Sequence, residues 1–145
     1  MMEKRVSMFV ACAALAALTS GCIVDVDSAP PSAGTLTAVW TIDNSTDPAA
    51  CQFYARDPNI GLNFELLVYE RRVLVAEVKA DCAAFNTSLR LRRGTYDATA
   101  TMVDPITDAA VSTTLPMPAI EIFRETETTV DINFPPESFP GRTLP

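Results

Sequence analysis

Chemistry in this sequence has to proceed without histidine: its 145 residues include 18 Asp+Glu, 11 Lys+Arg and 4 Cys, but no His. A Ser-His-Asp arrangement is therefore excluded, and a zinc site would have to combine thiolates with carboxylates alone. Gly-x-Ser-x-Gly, a phosphate loop and a metalloprotease helix are also absent. Asp43-Asn44-Ser45-Thr46-Asp47 places oxygens at alternate positions, as a calcium loop does. An EF-hand would also need Gly and Glu further along, where this chain has Pro48 and Tyr54. The stretch reads better as an Asx-type turn of solvated acids. Glu121, Glu125 and Glu127 lead into a predicted strand. Two carboxylates about 5–9 Å apart could hydrolyse a glycoside, but nothing in the spacing sets that distance, and the chain is not expected to be an enzyme. Arg71, Arg72, Arg90, Arg92 and Arg93 hold much of the positive charge. If Arg90 and Arg92 share an outer face near the Arg71-Arg72 turn, they form a candidate binding patch. Guanidinium forks there would suit lipid phosphate, an acidic glycan or a partner's acidic surface. The competing expectation is cross-strand pairing with Glu65, Glu70 and Glu77. Trp40 could stack on a sugar, but it alternates in phase with Leu36 and Ile42 and so reads as core.

The N-terminus carries an address. Lys4 and Arg5 precede an apolar run from Met8 to Leu18. That run is too short for a bilayer core, which needs about 20 residues, so residues 1–21 are predicted to be a signal peptide. Leu18-Thr19-Ser20-Gly21-Cys22 resembles the lipobox of bacterial lipoproteins, with Thr19 where most carry Leu. The resemblance implies cleavage before Cys22 and acylation of its thiol. The acyl chains would exceed the two signals that make membrane anchoring stable. Ile23, in place of a retaining Asp, implies transfer to the outer membrane. The expected location is the cell envelope, lipid-anchored.

With Cys12 in the signal and Cys22 carrying lipid, Cys51 and Cys82 remain as a pair in an oxidising compartment. There is no Cys-x-x-Cys, so the expectation is a structural disulfide rather than a redox or metal pair, and no cofactor is expected. A loop of about 31 residues closed this way is worth roughly 3–4 kcal/mol. Without Glu3, Lys4 and Arg5 the mature chain keeps 9 basic and 17 acidic residues, a net charge of −8. So acidic a domain is a poor nucleic-acid binder. By the same reasoning it is a poor candidate for electrostatic docking on anionic lipid.

The elements that must position these residues are strands. Residues 22–33 read as the lipidated cysteine and a tether that contains Pro30-Pro31. From Gly34 the apolar period becomes two. Strands are predicted at Gly34 to Ile42, Leu62 to Tyr69, Val73 to Lys79, Phe85 to Arg92, Thr95 to Val103, Ala110 to Leu115, Ala119 to Phe123 and Glu127 to Phe134. Pro116 and Pro118 split two of them and suit an edge or a crossing between sheets. Cys51, Phe53 and Tyr54 fall in a loop or short helical turn. Pro135-Pro136 ends the last strand and leaves 136–145 as a loose tail. About 124 mature residues suffice for one domain with its own core. The predicted fold is all-β: a single antiparallel Greek-key β-sandwich over 34–135, with seven or eight strands.

Leu91-Arg92-Arg93-Gly94-Thr95-Tyr96 is similar to the Leu-x-Pro-Gly-x-Tyr tyrosine corner of Greek-key sandwiches, with Arg93 in place of proline. The resemblance implies a glycine that permits a sharp bend and a tyrosine whose hydroxyl bonds to upstream backbone. Leu91 to Asp104 also resembles strands of transthyretin-like and carboxypeptidase-regulatory-like sandwiches. With the lipobox, the cysteine pair and Asp131-Ile132-Asn133-Phe134-Pro135, the chain is similar to small lipoproteins of myxobacteria. That resemblance implies a fold and a location and brings no catalytic residues. The functional expectation is a non-catalytic envelope lipoprotein whose sandwich is a protein-interaction or structural module. A strand-addition edge is expected in the Ala110 to Phe123 region. The alternatives are a glycan- or polymer-binding module, which a contiguous exposed aromatic row would favour, and, more remotely, a carboxylate glycoside hydrolase; the aromatics off the predicted core faces, Phe53, Tyr54, Tyr69, Phe123 and Phe139, are too scattered in sequence to suggest a platform.

Overall fold

The computed structural model describes residues 32–141. The predicted signal peptide, Cys22 and all but the last two residues of the predicted tether lie outside the described residues. Seven strands form: β1 (Ala33–Ile42), β2 (Asn63–Glu70), β3 (Val73–Asp81), β4 (Asn86–Arg92), β5 (Gly94–Val103), β6 (Leu115–Ile122) and β7 (Glu127–Phe134). A short helix, α1 (Pro48–Tyr54), and 3₁₀ turns at Cys82–Ala84 and Pro136–Ser138 complete the described elements.

The strands make two sheets, ordered β4-β1-β7 and β3-β2-β5-β6. Alternation decides which faces meet. Leu36, Ala38, Trp40 and Ile42 of β1 turn inward, as do Phe64, Leu66 and Val68 of β2 and Tyr96, Ala98, Ala100 and Met102 of β5. Ile132 and Phe134 complete the core from β7. Trp40 is fully buried, stacks on Phe64 with ring centroids 3.9 Å apart, and donates from Nε1 to the Cys82 carbonyl at 2.8 Å. The indole thus satisfies its one polar atom inside the core.

Four expectations need correction. The sandwich is not wholly antiparallel, because β1 and β7 pair in parallel. Each connection reverses the chain, so odd-numbered strands share a direction and two odd neighbours must be parallel. The two strands expected over 110–115 and 119–123 are one: β6 runs through both Pro116 and Pro118, while Ala110 makes only an isolated bridge to Val103. β6 is a sheet edge, where missing N–H groups cost no ladder bonds on the open side. A register shift opposite Tyr96 and Ala98, with Ala119 at φ 57°, absorbs the irregularity. The tail is not loose through Phe139, which is buried and stacks on Tyr54 at 4.0 Å. Tyr54 and Phe139, expected off the core faces, close the core at that end because α1 and the Pro136–Ser138 turn fold over it.

Candidate functional site

The two ends of the sandwich differ in chemistry. At one end lie the start of β1, the β2–β3 turn, the β4–β5 corner and the β6–β7 turn, as the registers Ala33↔Arg92, Gly94↔Ile122, Glu70↔Val73 and Thr35↔Glu127 require. The chain enters the fold here, clamped from both sides. The Arg93 N–H donates to the Ser32 carbonyl at 2.8 Å, and the Glu125 N–H donates to the Ala33 carbonyl at 2.9 Å. The approach is close at Gly34, where a Cβ would sit 2.1 Å from the Phe123 carbonyl oxygen.

This entry end gathers the predicted arginines. Arg71 and Arg72 form the two-residue β2–β3 turn, Arg92 and Arg93 form the β4–β5 corner, and Arg90 points outward on β4 at the level of Thr35. All five are exposed, and none makes an ion pair among the described residues. The expected partners are engaged elsewhere: Glu65 and Glu77 pair with Lys79, each at 3.4 Å. Arg124, which the sequence reading did not single out, joins the cluster from the β6–β7 turn and pairs with Glu125 at 3.2 Å. An open groove between the start of β5 and the end of β6 is lined by Arg93, Thr95, Glu121, Phe123 and Arg124. Phe123, Val73 and Leu74 are 58%, 65% and 48% exposed beside these arginines.

The hairpin turn is unusual in backbone terms. Arg71 and Arg72 both have positive φ, 49° and 70°. Such a turn matches strand twist and normally takes Asn-Gly or Asp-Gly. The neighbouring corner behaves as its resemblance implied in one respect: the Tyr96 hydroxyl donates to the Arg92 carbonyl at 2.9 Å. Burial first, then Glu70, raises the pKa of that hydroxyl, while Arg92 opposes them. The glycine does not behave as implied. Gly94 has no positive φ, and a Cβ there would meet only Tyr96 side-chain atoms at 3.5–3.7 Å.

The opposite end carries acids and the disulfide. Cys51 of α1 is bonded to Cys82, with Cα atoms 5.9 Å apart. The Asp47 and Asp81 side chains accept from the Ala49 and Ala83 N–H groups, capping the two turns that present the sulfurs. Asp43 and Asn44 form a tight turn closed by the Ile42–Ser45 bridge, so the run from Asp43 to Asp47 serves as turn and helix cap. No group of His, Cys, Asp and Glu suited to a metal occurs among the described residues. Asp104 accepts from the N–H groups of Thr107 and Ile106, chiefly the former, which holds its carboxyl below the usual carboxylate range. Asp108 binds Lys79 Nζ at 2.9 Å. Asp108 and the other carboxylates beside Lys79 hold its ammonium protonated above the usual lysine range.

The three glutamates of the glycosidase reading are not joined in one cleft. Glu121 lines the groove, Glu125 is held by Arg124, and Glu127 accepts from Thr37 Oγ1. Of the five aromatic residues considered for a platform, Phe53 and Phe123 are exposed, at opposite ends of the sandwich, Tyr69 is half-buried, and Tyr54 and Phe139 are buried. No helix among the described residues is long and apolar enough to cross a membrane.

No protein-family description matches the chain, and no curated protein matches its sequence. Among solved structures, the chain is similar to the minor pilin of the Gram-positive pathogen Streptococcus agalactiae, at 13% identity and a TM-score of 0.45. That likeness covers 79% of this chain and 48% of the pilin, so the chain spans about half the pilin's length.

Proposed function

We propose that this protein is a non-catalytic lipoprotein of the cell envelope, anchored through acylated Cys22, whose β-sandwich serves as an interaction or structural module. The observation that carries this reading is the concentration of exposed, ion-pair-free arginines and exposed apolar side chains on one end of a disulfide-braced fold. Such a surface suits binding, since unpaired guanidinium groups are free to engage phosphate or carboxylate. The glycan-binding alternative lacks this support, because the exposed Phe53 and Phe123 are too far apart in the fold to form one stacking row. The outer membrane is the proposed destination, from Ile23 after the cysteine.

Growth with a clickable fatty acid tests the anchor. The wild-type protein should take up label and fractionate with membranes. Cys22→Ala should take up none and move to the soluble fraction. Label in Cys22→Ala, or none in the wild type, would refute the anchor. Chemical cross-linking in intact cells tests the module: a stoichiometric envelope partner is expected, lost in Cys22→Ala. Polysaccharide capture without any protein partner would move the assignment to glycan binding.

A further inference from the structure

We propose that the entry end of the sandwich lies directly on an anionic membrane surface, with its arginines on lipid phosphates and Phe123, Val73 and Leu74 at headgroup level; the proposal rests on the Cys22 anchor above. The connection between the anchor and the fold is short. Cys22 is ten residues upstream of Ser32, so even a fully extended connection spans at most about 35 Å. The chain enters the fold within the arginine cluster itself, between Arg93 and Glu125. The end nearest the anchor is therefore the arginine end.

Charge is divided between the two ends, so the negative net charge does not describe the entry end. Arg71, Arg72, Arg90, Arg92, Arg93 and Arg124 face Glu70, Asp97, Glu121, Glu125 and Glu127 at this end, a local excess of positive charge on a chain of negative net charge. Among the described residues the only cations elsewhere are Arg56 and Lys79. The acids Asp43, Asp47, Asp57, Asp81, Asp104 and Asp108 lie toward the far end. β1 has ten residues, and at about 3.3 Å per residue it separates the two ends by roughly 30 Å. The Debye length is about 8 Å at physiological ionic strength. A membrane touching the entry end hardly senses the far acids, so the local pole decides the interaction and the net charge does not.

The β2–β3 turn carries backbone strain at the same end. Two arginines occupy left-handed positions where Asn-Gly would be relaxed, and no ion pair or side-chain hydrogen bond inside the fold accounts for their presence. Backbone strain without a local structural return is characteristic of positions kept for function. Exposed Val73 and Leu74 directly follow this turn.

The test is hydrogen exchange on the full acylated protein in vesicles of phosphatidylcholine, with and without phosphatidylglycerol. Amides of 70–74, 92–95 and 122–126 should exchange several-fold more slowly on phosphatidylglycerol vesicles, while those of 104–110 stay unchanged. High salt should abolish the difference, and so should Arg71→Gln/Arg72→Gln/Arg124→Gln. Arg124→Gln alone, which leaves the strained turn untouched, should reduce it. Protein that pellets with vesicles yet exchanges alike on both would overturn docking and leave the anchor intact. Equal slowing on both vesicles, unmoved by salt, would overturn docking driven by anionic lipid. Failure to pellet would overturn the anchor and docking together. Slowing produced only by a cross-linked acidic protein partner would assign the face to that partner instead and overturn the membrane proposal.

Discussion

Replacing the β2–β3 turn by Arg71→Asn/Arg72→Gly should make the protein more stable and less able to dock. Both arginines sit in the left-handed region, at φ 49° and 70°. A residue with a Cβ loses roughly 1–2 kcal/mol there. Gly at the second position removes that cost but adds about 0.5–1 kcal/mol of unfolded-chain entropy. Asn at the first position tolerates the conformation better than Arg, for its short side chain bonds locally. The sum is a net gain of about 1 kcal/mol. Unfolding entropy near 2.1 cal/mol/K per residue, over the 110 described residues, gives roughly 0.23 kcal/mol/K. The melting temperature should therefore rise by about 4 °C. Thermal melting followed by circular dichroism reads this directly, and the urea midpoint should shift in the same direction with unchanged slope. A melting temperature equal to or below that of the parent would refute the strain argument. It would mean that the arginines gain something inside the fold that offsets their backbone cost, and their retention would need no docking role.

Two further outcomes follow from the packing. Reduction of Cys51–Cys82 should lower the melting temperature by about 13–17 °C, since closing a loop with a sequence separation of 31 is worth roughly 3–4 kcal/mol on the entropy scale; an unchanged melt with and without reductant would show that the bond contributes nothing. Gly34→Ala should cost about 2–3 kcal/mol, because its Cβ would collide with the Phe123 carbonyl oxygen at 2.1 Å and meet the Thr126 carbonyl oxygen at 3.0 Å. Gly94→Ala should stay within about 0.5 kcal/mol of the parent, and equal losses at the two glycines would overturn this reading of the corner.

Much of the fold was legible because one face of each strand is buried. Period-two alternation located β1, β2, β5 and β7 and their inward residues, and turn residues marked most of their ends. The cysteine pair and the Tyr96 hydroxyl bond were legible for a similar reason, each being a short-range or countable signal. Gly34 was not legible as a close-approach site, since nothing near it in sequence announces Phe123 and Thr126 across the β6–β7 turn. Tyr54 and Phe139 were missed as core because they seal the end of the sandwich from outside the strands, where alternation carries no information.

Five arginines of the candidate site were legible as a patch, but Arg124 and the polarity of the domain were missed through an error of one strand. In a fold whose every connection reverses direction, the N-terminus and every second turn share an end. With seven strands, the β2–β3, β4–β5 and β6–β7 turns stand beside the chain entry, and Arg71-Arg72, Arg92-Arg93 and Arg124 stand with them. The β1–β2, β3–β4 and β5–β6 connections hold Asp43 and Asp47, Asp81, and Asp104 and Asp108 at the other end. Splitting β6 at its prolines gives eight strands. The last strand would then run antiparallel to β1, and Arg124 would move to the acidic end. The true β6 runs on through Pro116 and Pro118 because an edge strand needs N–H groups on one side only. Two residues without an amide proton thus hid the electrostatic polarity of the domain, although every charge that makes it was visible in the sequence. Net charge could not reveal it either, since a sum over the chain is blind to the alternation of ends that the strand count imposes.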